Sequence, residues 1–129
     1  LAAPEDVKVD IWSELADTDN ESFVYVGWAN IDKIEGKTDA ERFHLTVRAL
    51  ELVGIRGETL KMLWRAICIV LQLGNLEFAA SGEDASEIAG EEDLEALSDL
   101  MGIPSDKLTT ALTIRNVQAR SEVFQVPLT

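Results

Sequence analysis

The chain has 129 residues, of which 47% are hydrophobic, and it carries a formal net charge of −13 at pH 7. The length suffices for one domain with a hydrophobic core, while the charge excludes nucleic acid and anionic membrane as expected partners, since both present phosphate groups. The longest apolar run, residues 66–71, is far too short to cross a bilayer and the first residues resemble no export signal, so we expect a soluble, intracellular protein.

The first predicted helix begins near Pro4, which is followed by two acidic residues that suit a first helical turn, and it runs to about Ala16. Residues 23–26 have the composition of a strand but form a short segment. Residues 27–37 show no regular pattern. The sequence therefore predicts one helix and mostly irregular chain in its first 37 residues.

A second helix begins with a capping box, in which Thr38 and Glu41 can satisfy free backbone amides at the helix start. It is predicted to end at Gly54. The side chains expected to point inward are Phe43, Val47, Leu50 and Val53.

The third helix, from about Leu60 to Leu73, is apolar nearly all round in its second half, which predicts that it lies inside a core. Gly74 and Asn75 are residues that readily adopt the left-handed conformation at a helix end. Residues 76–78 then alternate like a strand. The pattern predicts a central core helix with a sharp exit.

The second half of the chain is strongly acidic, because no Lys or Arg lies between Arg65 and Lys107 while ten residues there are acidic. We interpret these residues as a solvated face rather than a dedicated docking site. The predicted elements are a mobile loop at 79–85, a strand at 86–89 pairing with 76–78, helices at 91–101 and 104–114 separated by Gly102, and a surface strand, turn and strand at 117–126. Leu94, Leu97, Leu100, Leu108, Ala111 and Leu112 are expected inward. The fold class is mainly α, a helical bundle-like single subdomain over residues 1–129 with short β-hairpins near 76–89 and 117–126.

Two sequence motifs resemble known sites but are incomplete. Gly36-Lys37-Thr38 matches the end of a phosphate-binding loop, but Ile31 stands where its first glycine is needed. A turn leading into the capping box is the better interpretation. The acidic residues Asp17, Asp19 and Glu21 have calcium-loop spacing, but Ser22 and Trp28 stand where glycine and the final carboxylate belong.

His44 and Cys68 also lack the partners that chemistry would need. His44 is the one histidine and Cys68 the one cysteine, so neither a histidine-based metal site nor an internal disulfide is expected. No nucleophile lies in a glycine-flanked elbow. We therefore expect no catalytic residues, no metal ligands and no bound cofactor within this chain.

Several segments, in order, resemble the motor domain of myosins. The strongest is 66–78, Ala-Ile-Cys-Ile-Val-Leu-Gln-Leu-Gly-Asn-Leu-Glu-Phe, although myosins usually have His where this chain has Gln72. Residues 1–3 resemble the end of the leucine-rich helix that follows the myosin ATP-binding loops. Residues 39–55 are similar to the acidic helix that precedes the core helix.

Residues 111–128 resemble the myosin surface loop that touches actin, which commonly reads Arg-Gly-Glu and here reads Arg120-Ser121-Glu122. The resemblance implies actin-binding residues Asn116, Val117, Gln118, Ala119, Arg120, Ser121, Glu122 and Val123, and a secondary actin-side loop of Ser81, Gly82, Glu83 and Asp84. Myosins carry a fixed acid or a phosphorylatable residue where this chain has Glu122, so the implied motor needs no phosphorylation there. A solvated turn residue is the alternative interpretation of Glu122.

The resemblance implies the upper fifty-kilodalton subdomain of a myosin head, one jaw of the cleft that closes on actin. The phosphate-binding loop and switches of the family lie outside these residues, so ATP, Mg and the ATPase activity belong to the implied parent motor. The expected partners are the actin filament and the remainder of the head, in a cytoplasmic, cytoskeleton-associated setting. The alternative is an autonomous acidic helical interaction module without motor activity, and phosphate-loop and switch motifs in the parent chain would discriminate the two.

Overall fold

The computed structural model describes residues 1–27, 33–120 and 122–129, with the backbone alone described at Ala119. These residues form two compact units, Leu1–Gly74 and Asn75–Thr129. Helices and two small antiparallel strand pairs make the fold mainly α with short hairpins, as the sequence predicts. The assignment of residues 1–129 to one subdomain stays a prediction.

The first unit contains α1 (Glu5–Ile11), a 3-10 helix (Ser13–Asp17), α2 (Asp39–Leu52) and α3 (Glu58–Leu73). The prediction of one continuous helix to Ala16 is wrong, because Trp12 adopts an extended conformation, with φ −161° and ψ 121°. Trp12 and Leu15 are both buried, so the change of helix type places both side chains in the core.

Residues 23–26 form a turn instead of a strand. The backbone amides of Val26 and Gly27 both donate to the Phe23 carbonyl, at 3.0 and 2.9 Å. The side chain of Phe23 is 1% exposed, so it attaches the turn to the core. Five of the eleven residues predicted to be irregular, residues 28–32, lie outside the described residues.

The capping box at the start of α2 is confirmed: the Thr38 hydroxyl accepts from the Glu41 amide at 3.2 Å, and the Glu41 carboxylate accepts from the Thr38 amide at 2.7 Å. The turn before it is confirmed too, because Ile34 and Lys37 pair backbone to backbone around Gly36. Phe43 packs on α3 through Trp64, with ring centroids 5.6 Å apart. Val53, expected inward, is exposed because the helix ends before it, at Leu52.

The expectation that α3 is enclosed on every side is wrong within this chain. Its buried residues are Cys68 and Gln72, whereas Met62, Ile67 and Val70 are exposed. Gly74 caps the helix in right-handed geometry, φ −68° and ψ −20°, and Asn75 also has a negative φ. The predicted left-handed exit is therefore wrong.

The second unit contains β1 (Glu77–Ala80), β2 (Ser86–Ala89), α4 (Glu91–Met101), α5 (Ser105–Thr113), β3 (Ile114–Ala119) and β4 (Glu122–Pro127). β1 pairs with β2 and β3 with β4, both antiparallel. Gly102 ends α4 in the left-handed conformation, with φ 67°, as predicted. The core is formed by Leu76, Leu97, Leu100 and Leu108, and Ala111, expected inward, is exposed on α5.

Candidate functional site

The β3–β4 hairpin holds the residues that the sequence assigns to partner binding. Its register pairs Ala119 with Glu122, Val117 with Phe124 and Arg115 with Val126. Two residues connect the strands, Arg120 and Ser121, of which Ser121 lies outside the described residues. Glu122 is therefore the first residue of β4 and not part of the turn.

Arg120 adopts a left-handed conformation, with φ 57°. Two-residue hairpins favour turns that begin with positive φ, because the twist of such turns matches the twist of the strands. For a residue with a Cβ this conformation costs about 1–2 kcal/mol. Pairing of the strands on both sides offsets this cost and holds Arg120 at the tip.

The hairpin register places Glu122 on one face with apolar side chains. Residues directly opposite in an antiparallel pair project to the same side, and alternate residues along a strand share that side. Glu122 therefore shares a face with Val117 and Phe124, which are 39% and 49% exposed, and with Arg115 toward the base. This face therefore carries the carboxylate of Glu122, the apolar side chains of Val117 and Phe124, and the cationic side chain of Arg115.

Glu122 is exposed. Across residues 1–27, 33–120 and 122–129, the ion pairs within 4.0 Å include Lys8–Glu5, Arg42–Glu35 and Lys61–Asp10, and Glu122 takes part in none of these. An exposed carboxylate without such a pair keeps its charge available to a binding partner.

The base of the hairpin is anchored to the rest of the second unit. α5 continues directly into β3, and the Leu128 amide donates to the Thr113 carbonyl at 2.7 Å, which closes the open end. The Thr113 hydroxyl donates to the Thr109 carbonyl at 2.7 Å. The Ser86 hydroxyl donates to the Leu128 carbonyl at 2.8 Å. The base is thus fixed to both α5 and β2.

The second predicted loop lies between β1 and β2, where the Ser81 amide donates to the Ala85 carbonyl at 2.8 Å. Gly82 has φ 86°, and Glu83 and Asp84 are exposed. The Ser86 bond places this loop beside the base of the β3–β4 hairpin, about 20 Å along the strands from its tip at roughly 3.3 Å per residue. The two predicted binding segments therefore lie in one unit but are not brought together at one point.

The other acidic and polar candidates serve local structure. The Asp19 carboxylate accepts hydrogen bonds from the amides of Glu21 and Ser22 and from the Ser22 hydroxyl, at 2.9, 3.1 and 3.1 Å. These bonds, those from Ser22 foremost, lower the pKa of Asp19. Burial raises the pKa of the Cys68 thiol. Within the described ranges, no cluster of three His, Cys, Asp or Glu side chains could hold a metal ion.

Phe124 and Arg115 are site residues that the sequence interpretation did not include. The register alone brings them to the face of Glu122. Alternation counted outward from the two-residue turn could have found both, because each strand position two residues away returns to the same side.

Comparison with known proteins identifies the family. The model of the myosin head (motor domain) family matches residues 5–129. The chain belongs to the myosin head family. Among curated myosins it is 34% identical to Myosin-2 of Saccharomyces cerevisiae over 84% of the chain, and 32% identical to Myosin-52 of Schizosaccharomyces pombe over 99%. Myosin-1 of Arabidopsis thaliana is 32% identical over 87% of the chain.

The chain spans only 7% of the Saccharomyces cerevisiae relative, 8% of the Schizosaccharomyces pombe relative and 10% of the Arabidopsis relative. It is a segment of myosin motor sequence, so the resemblance to the motor domain of myosins is confirmed. In the described part of this myosin segment, no helix is both long enough and apolar enough to span a bilayer.

Proposed function

We propose that this chain forms part of one jaw of the actin-binding cleft of a myosin motor, and that residues 116–123 of the β3–β4 hairpin contact the actin filament. Membership of the myosin head family supports the motor assignment. In this proposal ATP and Mg bind elsewhere in the motor, and the chain itself performs no ATP hydrolysis. The cytoskeletal location follows from filament binding.

The observation that carries the proposal is the face around Glu122. A narrow hairpin anchored at its base presents an exposed carboxylate beside Val117 and Phe124, both partly exposed. Interfaces commonly combine a small apolar centre with charged groups at the rim. We assign Glu122 to a basic or polar group on actin, with Val117 and Phe124 providing apolar contact next to it.

The loop of Ser81, Gly82, Glu83 and Asp84 is proposed as a secondary and weaker actin-side segment. Its two carboxylates are exposed, and actin also presents an acidic surface. Repulsion between like charges disfavours a tight contact. We therefore assign the main binding contribution to the hairpin.

Glu122→Ala in the natural polypeptide that contains this chain tests the proposal through its actin-activated ATPase. Loss of one rim charge pair costs about 1 kcal/mol, so the actin concentration for half-maximal activation rises roughly fivefold, while the rate without actin is unchanged. Glu95→Ala, which removes an exposed acid from α4, is the matched control and leaves both values unchanged. An unaltered actin dependence in Glu122→Ala rules out the assigned contact.

A further inference from the structure

The first unit contains a cavity of about 310 Å³ among α1, α2 and α3, and none of its lining residues belongs to the hairpin proposed to bind actin. Its walls are mostly apolar and include the rings of Phe43, Trp64 and His44. The larger apolar wall residues are Val7, Ile11, Phe43, Val47, Leu60 and Trp64.

Two walls of the cavity, α1 and α3, are joined by an ion pair and a hydrogen bond. Lys61 and Asp10 form an ion pair at 2.7 Å, and one helical turn further on Arg65 donates to the Ile11 carbonyl at 3.1 Å. On the other side, the rings of Phe43 and Trp64 meet at an interplanar angle of 42°. These contacts link α1 and α2 to α3 around the opening.

The size of the cavity indicates a ligand rather than a packing gap. Native cores contain few voids larger than a water molecule, and an apolar cavity of about 150 Å³ accommodates benzene. A volume of 310 Å³ therefore holds about two fused rings. It also lies at the lower end of the size range of small-molecule sites, roughly 300–1,000 Å³.

The polar edge defines the chemistry of the ligand. Asp10 and Lys61 both line the cavity and neutralise each other, so the edge offers no net charge and favours an uncharged molecule. A hydroxyl can accept from the Lys61 ammonium and donate to the Asp10 carboxylate. We propose that this cavity is a binding site for a flat, uncharged bicyclic aromatic alcohol, with its rings against Phe43 and Trp64 and its hydroxyl at the Asp10–Lys61 pair.

The probe is 2-naphthol, titrated by calorimetry into the natural polypeptide that contains this chain. The expected dissociation constant is on the order of 100 µM, as suits a ligand of this size. Naphthalene-2-sulfonate, with the same rings and a full negative charge, is expected to bind at least fivefold more weakly, because moving its charge from water into a mostly apolar cavity costs free energy that the mutually neutralised Asp10–Lys61 pair does not offset. Absence of 2-naphthol binding at millimolar concentration overturns the proposal, including the case in which another part of the polypeptide fills the cavity.

Val47→Phe fills the cavity and is expected to weaken 2-naphthol binding more than tenfold. Leu60→Phe fills the cavity from α3. It replaces Val47→Phe in this test if circular dichroism shows that Val47→Phe is not folded. Leu45→Phe makes a similar apolar change on α2 at a side chain that does not line this cavity, so its affinity stays within twofold of the parent. Lys61→Met leaves the rings in place and weakens binding three- to tenfold. Equal affinity in the parent and a folded cavity-filling variant overturns the assignment.

Discussion

Gly74 ends α3 against the ring of Tyr25. A Cβ at Gly74 would lie 2.7 Å from both Cδ2 and Cε2 of that ring, although the φ of −68° suits any residue. Glycine is thus required at this position for space and not for backbone conformation. The sequence suggested the opposite reason, because glycine after an apolar helix usually signals a left-handed cap.

Gly74→Ala is expected to destabilise the last turn of α3 by about 1 kcal/mol, because the Tyr25 ring must move. In a Tyr25→Ala background the same change stabilises that turn by about 0.5–1 kcal/mol, since alanine favours helix over glycine. Amide hydrogen exchange of residues 70–74 measures both values. Equal effects in the two backgrounds would contradict the steric explanation.

Glu41 links the stability of α2 to pH. Hydrogen bonds from the Thr38 amide and then its hydroxyl lower the pKa of Glu41 below its usual value of about 4.5. A carboxyl whose pKa is lower in the folded state stabilises that state fully above its unfolded pKa, and this contribution disappears as the pH falls through the folded pKa.

We expect amide exchange at the start of α2 to accelerate upon acidification below about pH 4.5, beyond the intrinsic pH effect on exchange. Glu41→Gln keeps a side chain that can cap the helix but removes the titration, so this additional acceleration is lost. Glu51→Gln, at an exposed position near the other end of α2, is the control and retains the additional acceleration. The same acid response in Glu41→Gln as in the parent would refute the linkage.

At the scale of elements, α4 follows its sequence pattern closely, whereas α3 does not. Leu97 and Leu100 are 0% and 1% exposed, as spacing along α4 predicts. α3 is more apolar, yet Met62 and Val70 are 62% and 56% exposed. Periodicity identifies which face of a helix is apolar, but burial depends on which neighbours that face meets.

Leu97→Ala is expected to lower the free energy of unfolding by about 3 kcal/mol, because deletion of a fully buried side chain leaves a cavity. Leu52→Ala removes the same atoms at a position that is 81% exposed, so its cost stays below about 0.5 kcal/mol. Amide exchange within the helix that carries each leucine measures the change. Similar losses for the two variants would mean that Leu97 is not a core residue in the natural polypeptide.

At the scale of the whole molecule, the net charge of −13 bears on the proposed contact with an acidic filament. Glu83 and Asp84 are exposed in the β1–β2 loop. In the proposed orientation they oppose actin, and repulsion between exposed charges acts over about 10 Å at 0.1 M salt. In that orientation, a charge change in this loop is expected to alter filament binding at low ionic strength.

Glu83→Lys with Asp84→Lys is expected to lower the actin concentration for half-maximal ATPase activation about threefold at low salt, with the difference fading as screening increases above roughly 0.15 M. Glu92→Lys with Glu95→Lys makes the same charge change on exposed positions of α4 and has a smaller effect. Equal effects of the two double variants would assign the change to net charge and not to the loop.

The sequence by itself determined the features that depend on neighbours along the chain. The capping box at Thr38, the left-handed stop at Gly102 and the two hairpins were all predicted, because caps, glycine conformations and strand alternation act within a few residues. The resemblance to myosins was equally a property of the sequence. Of the candidate site, it predicted the hairpin and Glu122, but not the Val117–Phe124 pair.

Only the tertiary structure decided which apolar surfaces are covered. It placed Tyr25 against Gly74, left Val70 exposed and turned Ala111 outward. It also formed the cavity between α1, α2 and α3, whose wall residues come from positions 4 to 64. The physical reason is that burial and cavity volume depend on contacts between residues far apart in the chain, which local patterns do not encode.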